Sequence, residues 1–233
     1  MANLIAAAAF FLAIHFGISG TKLRDQLVRL VGEKVFRALF ALASIIGLIW
    51  LIRAYSVAPY IALWGRLTSL EPLAAPLVLG AVALVVIGIS TPNPTAVGGE
   101  SQLTREVQVR GVMRITRHPF LWGTALWAFV HFVINGDLAS SIVFGSLLLL
   151  AVGGTRSIDA KRRRAYGERW EHFAQQTSNV PFAAIATQRN HLGVAMHEIG
   201  IVRPALAVAV FVAHFLLHGR LFSGPLTWSD QRQ

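Results

Sequence analysis

Six apolar runs separated by basic segments constrain this chain more than any other feature of its sequence. Most are long enough to cross the roughly 30 Å apolar layer of a bilayer as a helix, and the shorter ones need tilt or snorkelling ends. The runs lack the alternation of a β-barrel, and backbone groups in lipid need partners within their own segment, so helices are expected. The runs are Ala2–Gly20, Phe36–Ile52, Leu73–Ser90, Phe120–Ile134, Ser140–Gly153 and Val202–His218.

The basic residues predict how these spans are oriented. Seventeen of the 21 Lys and Arg residues fall between runs one and two, three and four, or five and six, counting Arg37 and Arg203 at the adjoining ends of runs two and six. The positive-inside rule places these segments in the cytoplasm and both termini outside it. Residues 1–220 are then one transmembrane domain, and 221–233 form a short non-cytoplasmic tail. The four remaining basic residues, on the opposite side, are Arg53, Arg66, Arg220 and Arg232.

The composition excludes several kinds of site and partner. Hydrophobic residues make up 55% of the chain and charged residues only 14%, as expected for an integral membrane protein. The absence of cysteine excludes disulfides, thiolate haem ligation, iron–sulfur clusters and a cysteine nucleophile. The formal net charge of +10 is attributed to topology signals beside anionic membrane lipid, and no nucleic-acid partner is expected.

Two segments outside the spans have patterns of their own. Leu23, Leu27, Leu30 and Val31 form one apolar stripe on a basic helix, which predicts an amphipathic helix in the membrane interface. Residues 155–176 are predicted to form a solvated, partly helical cytoplasmic loop. The predicted fold is an all-α polytopic membrane bundle of about six transmembrane helices plus this interfacial helix.

Four histidines, His15, His131, His214 and His218, lie within predicted spans, where a polar side chain is costly and is a functional candidate. His15 and His131 occupy different spans with aromatic neighbours, and neutral imidazoles in a water-poor aromatic pocket are suited to haem iron. The alternative for each is a hydrogen bond to a neighbouring helix. His15 with His118, and His131 with His214, lie at more similar predicted depths and are competing ligand pairs.

The segment Arg114-Ile115-Thr116-Arg117-His118-Pro119 is a second candidate site. Pro119 is suited to the first helical position with His118 as its cap, and the free amides of a helix N-terminus attract anions. Arg114 and Arg117 add guanidinium groups, which predicts binding of haem propionates, a lipid phosphate or the carboxylate of a nucleotide-like cofactor. A basic snorkelling collar is the alternative. His118 is a candidate ligand, cap or base.

Three blocks of the chain resemble the NnrU family of bacterial inner-membrane proteins. The resemblance implies a bacterial inner-membrane location and a link to denitrification, through nitrite and nitric oxide reduction, without implying a known reaction. The blocks are IHFGISGTKLRDQLVRLVGEKVFRALFALAS, TRHPFLWGTALWAFVHFVINGD and LLHGRLFSG.

The same blocks resemble the plant zeta-carotene isomerases, membrane enzymes that use haem b to isomerise a cis double bond. This resemblance implies haem b with His15 and His131 as its ligands, and His118 matches the histidine of that family's Arg-His-Pro element. The plant enzymes have a cysteine three residues before the later ligand, where this chain has Ala128.

A weaker resemblance is to the isoprenylcysteine and phospholipid methyltransferases, which begin a helix with Arg-His-Pro and carry a later Gly-x-x-[WY] element. It implies S-adenosylmethionine bound near Arg117, His118 and Tyr166, although the paired glutamates of that family appear here only as Asp159.

Three functions follow as expectations. The favoured one is a haem b protein with redox, sensing or isomerase-like activity. The others are a membrane methyltransferase and a non-catalytic accessory factor for a denitrification reductase or its maturation proteins.

Overall fold

The computed structural model describes residues 1–19, 21–104 and 107–222, and the regular structure of that part of the chain is helical. One isolated β-bridge joins Ala62 and Asp137. The helices are α1 (Ala2–Ala13, continued as a π-helix over Ile14–Ser19), α2 (Lys22–Val31), α3 (Glu33–Ser56), α4 (Glu71–Ile89), α5 (Pro119–Asn135), α6 (Leu138–Tyr166), α7 (Glu168–Gln176), α8 (Ala183–Ala186), α9 (Leu192–Ile199) and α10 (Val202–Phe222).

Four segments of the described chain are long and apolar enough to cross a membrane: Ala2–Ser19, Glu33–Ser56, Thr68–Ile89 and Leu138–Tyr166. Helices α9 and α10 make a fifth only if they count together as one span broken by a 76° bend. Helix α5 has 17 residues, because Pro119 begins it and Gly136, in the left-handed conformation, ends it. The all-α membrane bundle is thus confirmed, whereas the predicted number of about six spans is not.

Close backbone contact holds the centre of the bundle together. Helices α4, α5 and α6 pack side by side, and α10 lies against α4. Gly123 on α5 faces α4 so closely that a Cβ atom placed on it would lie 2.6 Å from the carbonyl oxygen of Ala81. Gly88 on α4 leaves similar room for Pro119, whose Cγ would lie 2.9 Å from an added Cβ. Small residues allow this approach where lipid provides no hydrophobic force between helices.

Helix α1 packs on the other side of α6 and against α3. Leu4, Ala7 and Phe11 of α1 are buried in a cluster that includes Leu51 of α3 and Phe144 of α6. Where α3 ends and α6 begins, the Tyr55 hydroxyl and the Ser140 hydroxyl are 2.8 Å apart. This hydrogen bond joins α3 to α6. The α1–α3 unit is therefore anchored to the bundle through α6.

Residues 155–176 were predicted to form a partly helical loop. The prediction of a loop is wrong, because α6 continues to Tyr166 and α7 follows it directly. The segment is only partly solvated, since Asp159, Arg162 and Trp170 are buried whereas Arg164 and His172 are exposed. The Arg162 guanidinium donates hydrogen bonds to the carbonyl oxygen of Pro94 and to Glu100. Protein partners thus replace the water that these charged side chains were expected to need.

The predicted amphipathic helix is present as α2, a separate helix before α3. Its first turn is capped by Thr21, whose hydroxyl accepts a hydrogen bond from the Leu23 amide. Leu30 is 81% exposed, in keeping with an apolar stripe that the protein itself does not cover. The position of this stripe in the lipid interface stays a prediction. The predicted tail begins inside α10, and its residues from 223 onward lie outside the described chain.

Gly123→Ala is expected to destabilise the bundle by about 1–3 kcal/mol, because the new methyl group forces α4 and α5 apart. The matched control is Gly80→Ala on the facing helix, where the nearest atom to a new Cβ is 4.0 Å away. Thermal unfolding in detergent measures both. Equal midpoints for the two variants would contradict the close α4–α5 approach.

Two serines test the predicted orientation in a chain that has no cysteine of its own. Ser69 and Ser101 are both exposed and lie in short 3-10 turns, one beside the start of α4 and the other after its end. In intact bacterial cells a membrane-impermeant maleimide is expected to label Ser69→Cys and to label Ser101→Cys only after the membrane is broken. The reverse pattern would place the termini in the cytoplasm.

Candidate functional site

A buried ionic junction joins the start of α5 to Asp159, two turns before the end of α6. The Asp159 carboxylate accepts hydrogen bonds from Arg117, at 3.0 Å (Nε to Oδ1) and 2.5 Å (Nη2 to Oδ2). His118 Nε2 lies 2.7 Å from Asp159 Oδ1, and the Asn179 side-chain amide donates to Oδ2 at 2.9 Å. We call these four residues, Arg117, His118, Asp159 and Asn179, the junction. Its Arg, His and Asp side chains are about nine-tenths buried or more.

Local sequence fixes the geometry of the junction. Pro119 is the first residue of α5, as predicted, and His118 occupies the N-cap position. The predicted cap position is thus confirmed, although the His118 side chain forms no cap hydrogen bond. The imidazole reaches α6 instead, while the His118 amide donates to the Thr116 hydroxyl at 3.1 Å. The Arg117 carbonyl oxygen accepts from the Thr95 hydroxyl at 2.6 Å, which ties this turn to the preceding loop.

Burial lowers the pKa of the His118 imidazole, against the opposing effect of the Asp159 carboxylate, so the neutral form is favoured at pH 7. A carboxylate only accepts hydrogen bonds, so the proton of that neutral ring lies on Nε2 and the lone pair on Nδ1. Nδ1 is buried and has no hydrogen-bond partner within the described chain. His118 is thus a buried imidazole whose orientation is fixed by Asp159 and whose second nitrogen is unused.

The two arginines of the predicted anion site are paired with the protein's own carboxylates. Arg117 pairs with Asp159, and Arg114 forms a two-pronged pair with Glu198, at 2.8 and 2.9 Å. The hydrogen bond to Glu198 raises the pKa of the Arg114 guanidinium, which also donates to the Asn190 side-chain oxygen at 2.9 Å. Binding of an external anion by Arg114 and Arg117 stays a prediction, and it requires a ligand that competes with these pairs.

His15 and His131, the predicted metal ligands, share one local geometry on different helices. His15 Nδ1 lies 2.7 Å from the carbonyl oxygen of Phe11, and His131 Nδ1 lies 2.8 Å from that of Trp127. A carbonyl oxygen only accepts, so each Nδ1 carries the proton and each neutral ring keeps its lone pair on Nε2. Histidines that bind metals typically donate their other N–H to a carbonyl or carboxylate in this way.

Both imidazoles also have the predicted aromatic surroundings. The His15 ring lies 4.5 Å from the Phe11 ring and 5.3 Å from the Phe40 ring, measured between centroids. The His131 ring is 4.6 Å from that of Trp127 and stacks on Phe144 at 4.8 Å. Each histidine therefore has a polar atom available in an otherwise apolar, aromatic environment.

The two rings nevertheless lie at different heights along α6. His131 stacks on Phe144. Phe16, which follows His15 in the sequence, packs against Gly153 instead, where a Cβ added to the glycine would lie 2.7 Å from the Phe16 ring. These two positions on α6 are separated by about 13–14 Å at 1.5 Å rise per residue. Two nitrogens that bind one metal are only about 4 Å apart. The conformation described does not bring His15 and His131 to one iron atom.

The structure does bring His131 close to the histidines of α10. The His131 and His218 ring centroids are 6.3 Å apart, and those of His214 and His218 are 5.3 Å apart. Imidazoles on opposite faces of one metal have centroids about 6–7 Å apart when each metal–nitrogen bond is about 2 Å. Within the described chain no group of three or more His, Asp or Glu side chains is arranged to hold a metal ion.

The residues implied by the methyltransferase resemblance serve internal packing. Tyr166 packs against a buried cluster that contains Trp170, and Trp170 is fully buried. The Arg117 guanidinium lies 5.7 Å from the centre of the Trp170 ring, so a cation–π contact from α7 stabilises the junction. Binding of S-adenosylmethionine near these residues stays a prediction.

Sequence reasoning did not identify Asp159, Asn179 and Glu198 as partners of the Arg-His-Pro segment. Asp159 lies 41 positions from His118 and Glu198 lies 84 positions from Arg114. The sequence did hold one indication of these pairs, because each acidic residue stands apart from other acidic residues. Asp159 lies just before a Lys-Arg run, and Glu198 is the last acidic residue before α10. A lone carboxylate in a basic, largely apolar segment needs a cationic partner, but its identity depends on the fold.

Asp159→Asn is expected to destabilise the protein by about 3–5 kcal/mol, because it leaves the Arg117 guanidinium buried without a counter-charge. Asp25→Asn is the control, since the Asp25 side chain is 68% exposed and its pair with Arg24 is a surface pair worth at most about 1 kcal/mol. The measurement is the thermal unfolding midpoint in detergent. If the two variants unfold at the same temperature, the junction does not stabilise the fold.

Sequence comparisons with known proteins match nearly the whole length of this chain. The profile of the NnrU family, described as NnrU protein, matches residues 3–225. The 15-cis-zeta-carotene isomerase of Arabidopsis thaliana chloroplasts is 28% identical over 222 residues, which are 91% of this chain and 59% of the plant protein. The chloroplastic 15-cis-zeta-carotene isomerase of Zea mays is 26% identical over 234 residues, covering 99% of this chain and 62% of its own length.

This chain thus spans about three fifths of the length of the plant relatives. No solved structure matches it significantly. The family profile covers nearly the whole chain, from the first turn of α1 to beyond the end of α10. The chain therefore belongs to the NnrU family.

Proposed function

We propose that this chain is an integral membrane protein that binds haem b through histidines of its helices. The observation that carries the proposal is the shared geometry of His15 and His131. Each imidazole donates Nδ1–H to the carbonyl oxygen four residues earlier, which leaves the Nε2 lone pair for a metal in aromatic surroundings. A histidine that only joined two helices would instead use its polar atoms on the neighbouring helix.

The chemistry of the donors fits haem iron, and the spacing of the histidines supports His131 as one of the ligands. The resemblance to the zeta-carotene isomerases favours His15 as the second ligand, which requires α1 to move along α6. The 6.3 Å separation of the ring centroids favours His218. Haem held by two of these imidazoles would supply one-electron chemistry. The hydrogen bond to the Trp127 carbonyl oxygen fixes the orientation of the His131 ring. Phe144 stacks on one face of that ring and excludes water from it.

The proposed role is a haem-dependent redox, sensing or isomerase-like activity connected with nitrite and nitric oxide metabolism. The family membership supports the metabolic link, and the plant relatives named 15-cis-zeta-carotene isomerase support the isomerase-like alternative. At the position of the plant cysteine, Ala128 is fully buried between helices and offers no second ligand. We further propose the bacterial inner membrane as its location, with periplasmic termini, and a denitrification reductase or its maturation proteins as partners.

Haem binding is tested by absorption spectra of the protein purified in detergent after expression with added haem precursor. The wild type is expected to show the Soret band of low-spin haem b. His131→Ala is expected to lose that low-spin band, since His131 belongs to both candidate ligand pairs. His172→Ala is the control, because His172 lies exposed on α7, outside the bundle.

The same spectra discriminate between ligand pairs. If His218→Ala loses the low-spin band and His15→Ala keeps it, the pair is His131 with His218, as the described geometry favours. A folded wild-type protein without a Soret band, or a His131→Ala variant with an unchanged spectrum, would rule out the proposed haem site.

A further inference from the structure

Two adjoining cavities lie at the basic end of the molecule, away from the spans that carry His15 and His131. Their volumes are about 430 and 790 Å³, and Val107, Gln108, Arg110 and Glu198 line both. They lie between the loop that follows α4 and the bend that joins α9 to α10. Volumes of this size are typical of sites for small ligands.

Among the described residues that line it, the larger cavity carries an excess of positive charge. Arg110 and Arg203 line it, together with His197, and Glu198 is its acidic residue. Glu198 is already neutralised, because Arg114 holds both of its oxygens and the Gly111 amide donates to Oε2 at 2.7 Å.

Neither cavity arginine forms a hydrogen-bonded ion pair with a side chain of the described residues. No hydrogen bond or salt bridge joins the Arg110 guanidinium to another described side chain, and Arg203 donates only to the carbonyl oxygen of Ile199. Two guanidinium groups that share one cavity repel each other, and a phosphate binds them with two parallel hydrogen bonds each. The described residues of the cavity therefore favour an anionic ligand.

Apolar side chains surround the same place. Ile201 and Val202, at the bend, are 82% and 77% exposed, and Leu206 on the next turn of α10 is 50% exposed. On α9, Val194 and Met196 are exposed as well. Because α10 continues from this bend as an apolar helix, these side chains lie where the cationic cavity meets the proposed bilayer. A cationic cavity beside exposed apolar surface matches a ligand with an anionic head and an apolar tail.

We propose that the larger cavity binds the phosphate group of an anionic phospholipid from the surrounding membrane. Arg110 and Arg203 contact the phosphate, and the acyl chains lie over Ile201, Val202 and the first turns of α10. This site stabilises the bend between α9 and α10 by neutralising its charge. It uses neither the histidines of the haem proposal nor the junction, so its failure leaves both intact.

The test measures thermal unfolding of the full-length protein in mixed micelles that contain phosphatidylglycerol, phosphatidylcholine or neither. Phosphatidylglycerol is expected to raise the unfolding midpoint of the wild type, and phosphatidylcholine is expected to have little effect. Arg110→Gln is expected to lose at least half of this shift. Arg110 forms no salt bridge with a described side chain, so the variant is expected to fold as the wild type does without lipid.

Arg164→Gln is the matched control, since it removes the same charge from an exposed position on α6. Native mass spectrometry of wild type, Arg110→Gln and Arg110→Gln/Arg203→Gln counts retained phosphatidylglycerol, and fewer molecules on the variants are expected. Equal shifts in Arg110→Gln and Arg164→Gln would overturn the site in favour of general basic attraction. A full shift with inorganic phosphate alone would overturn the assignment to a lipid.

Discussion

The need to satisfy every polar group inside an apolar bundle is the constraint on which this structure depends. It is most demanding at the junction, where the Arg117 guanidinium, the Asp159 carboxylate and the His118 imidazole are buried together. Three ionisable groups in one apolar place are tolerated because each charge and almost every lone pair has a partner. The junction fixes the start of α5 on α6, and with it the height at which His131 faces Phe144.

The nitrogens that this constraint leaves unused are informative for the same reason. A buried acceptor without a partner costs about 1–3 kcal/mol, so a folded protein rarely keeps one without a use. His118 Nδ1 is such an atom, held in place by Asp159. His15 and His131 present Nε2 in half-buried aromatic surroundings after Nδ1 has bonded to their own helices. The shared pattern is a histidine oriented through one nitrogen and available through the other.

Much of the helical architecture was predictable from the sequence, because span length and charge bias are local properties. The six apolar runs correspond to α1, α3, α4, α5, α6 and α10, and the stripe of Leu23 and Leu30 corresponds to α2. The continuation of α6 beyond Gly153 was not predictable, since Arg162 is satisfied by Glu100 from 62 positions away. For the same reason the sequence identified Arg117 and His118 as site residues but did not identify Asp159 as their partner. Long-range pairs of this kind have no signature in local composition.

The central claim is that imidazole nitrogens left free within the bundle bind haem iron. The most direct measurement is the haem b content per polypeptide of the protein purified from its native membrane, by the pyridine haemochrome assay. The account predicts stoichiometric haem b that stays with the folded protein through purification. Folded protein that carries no haem b, even when the membranes were supplied with excess haem, would contradict it.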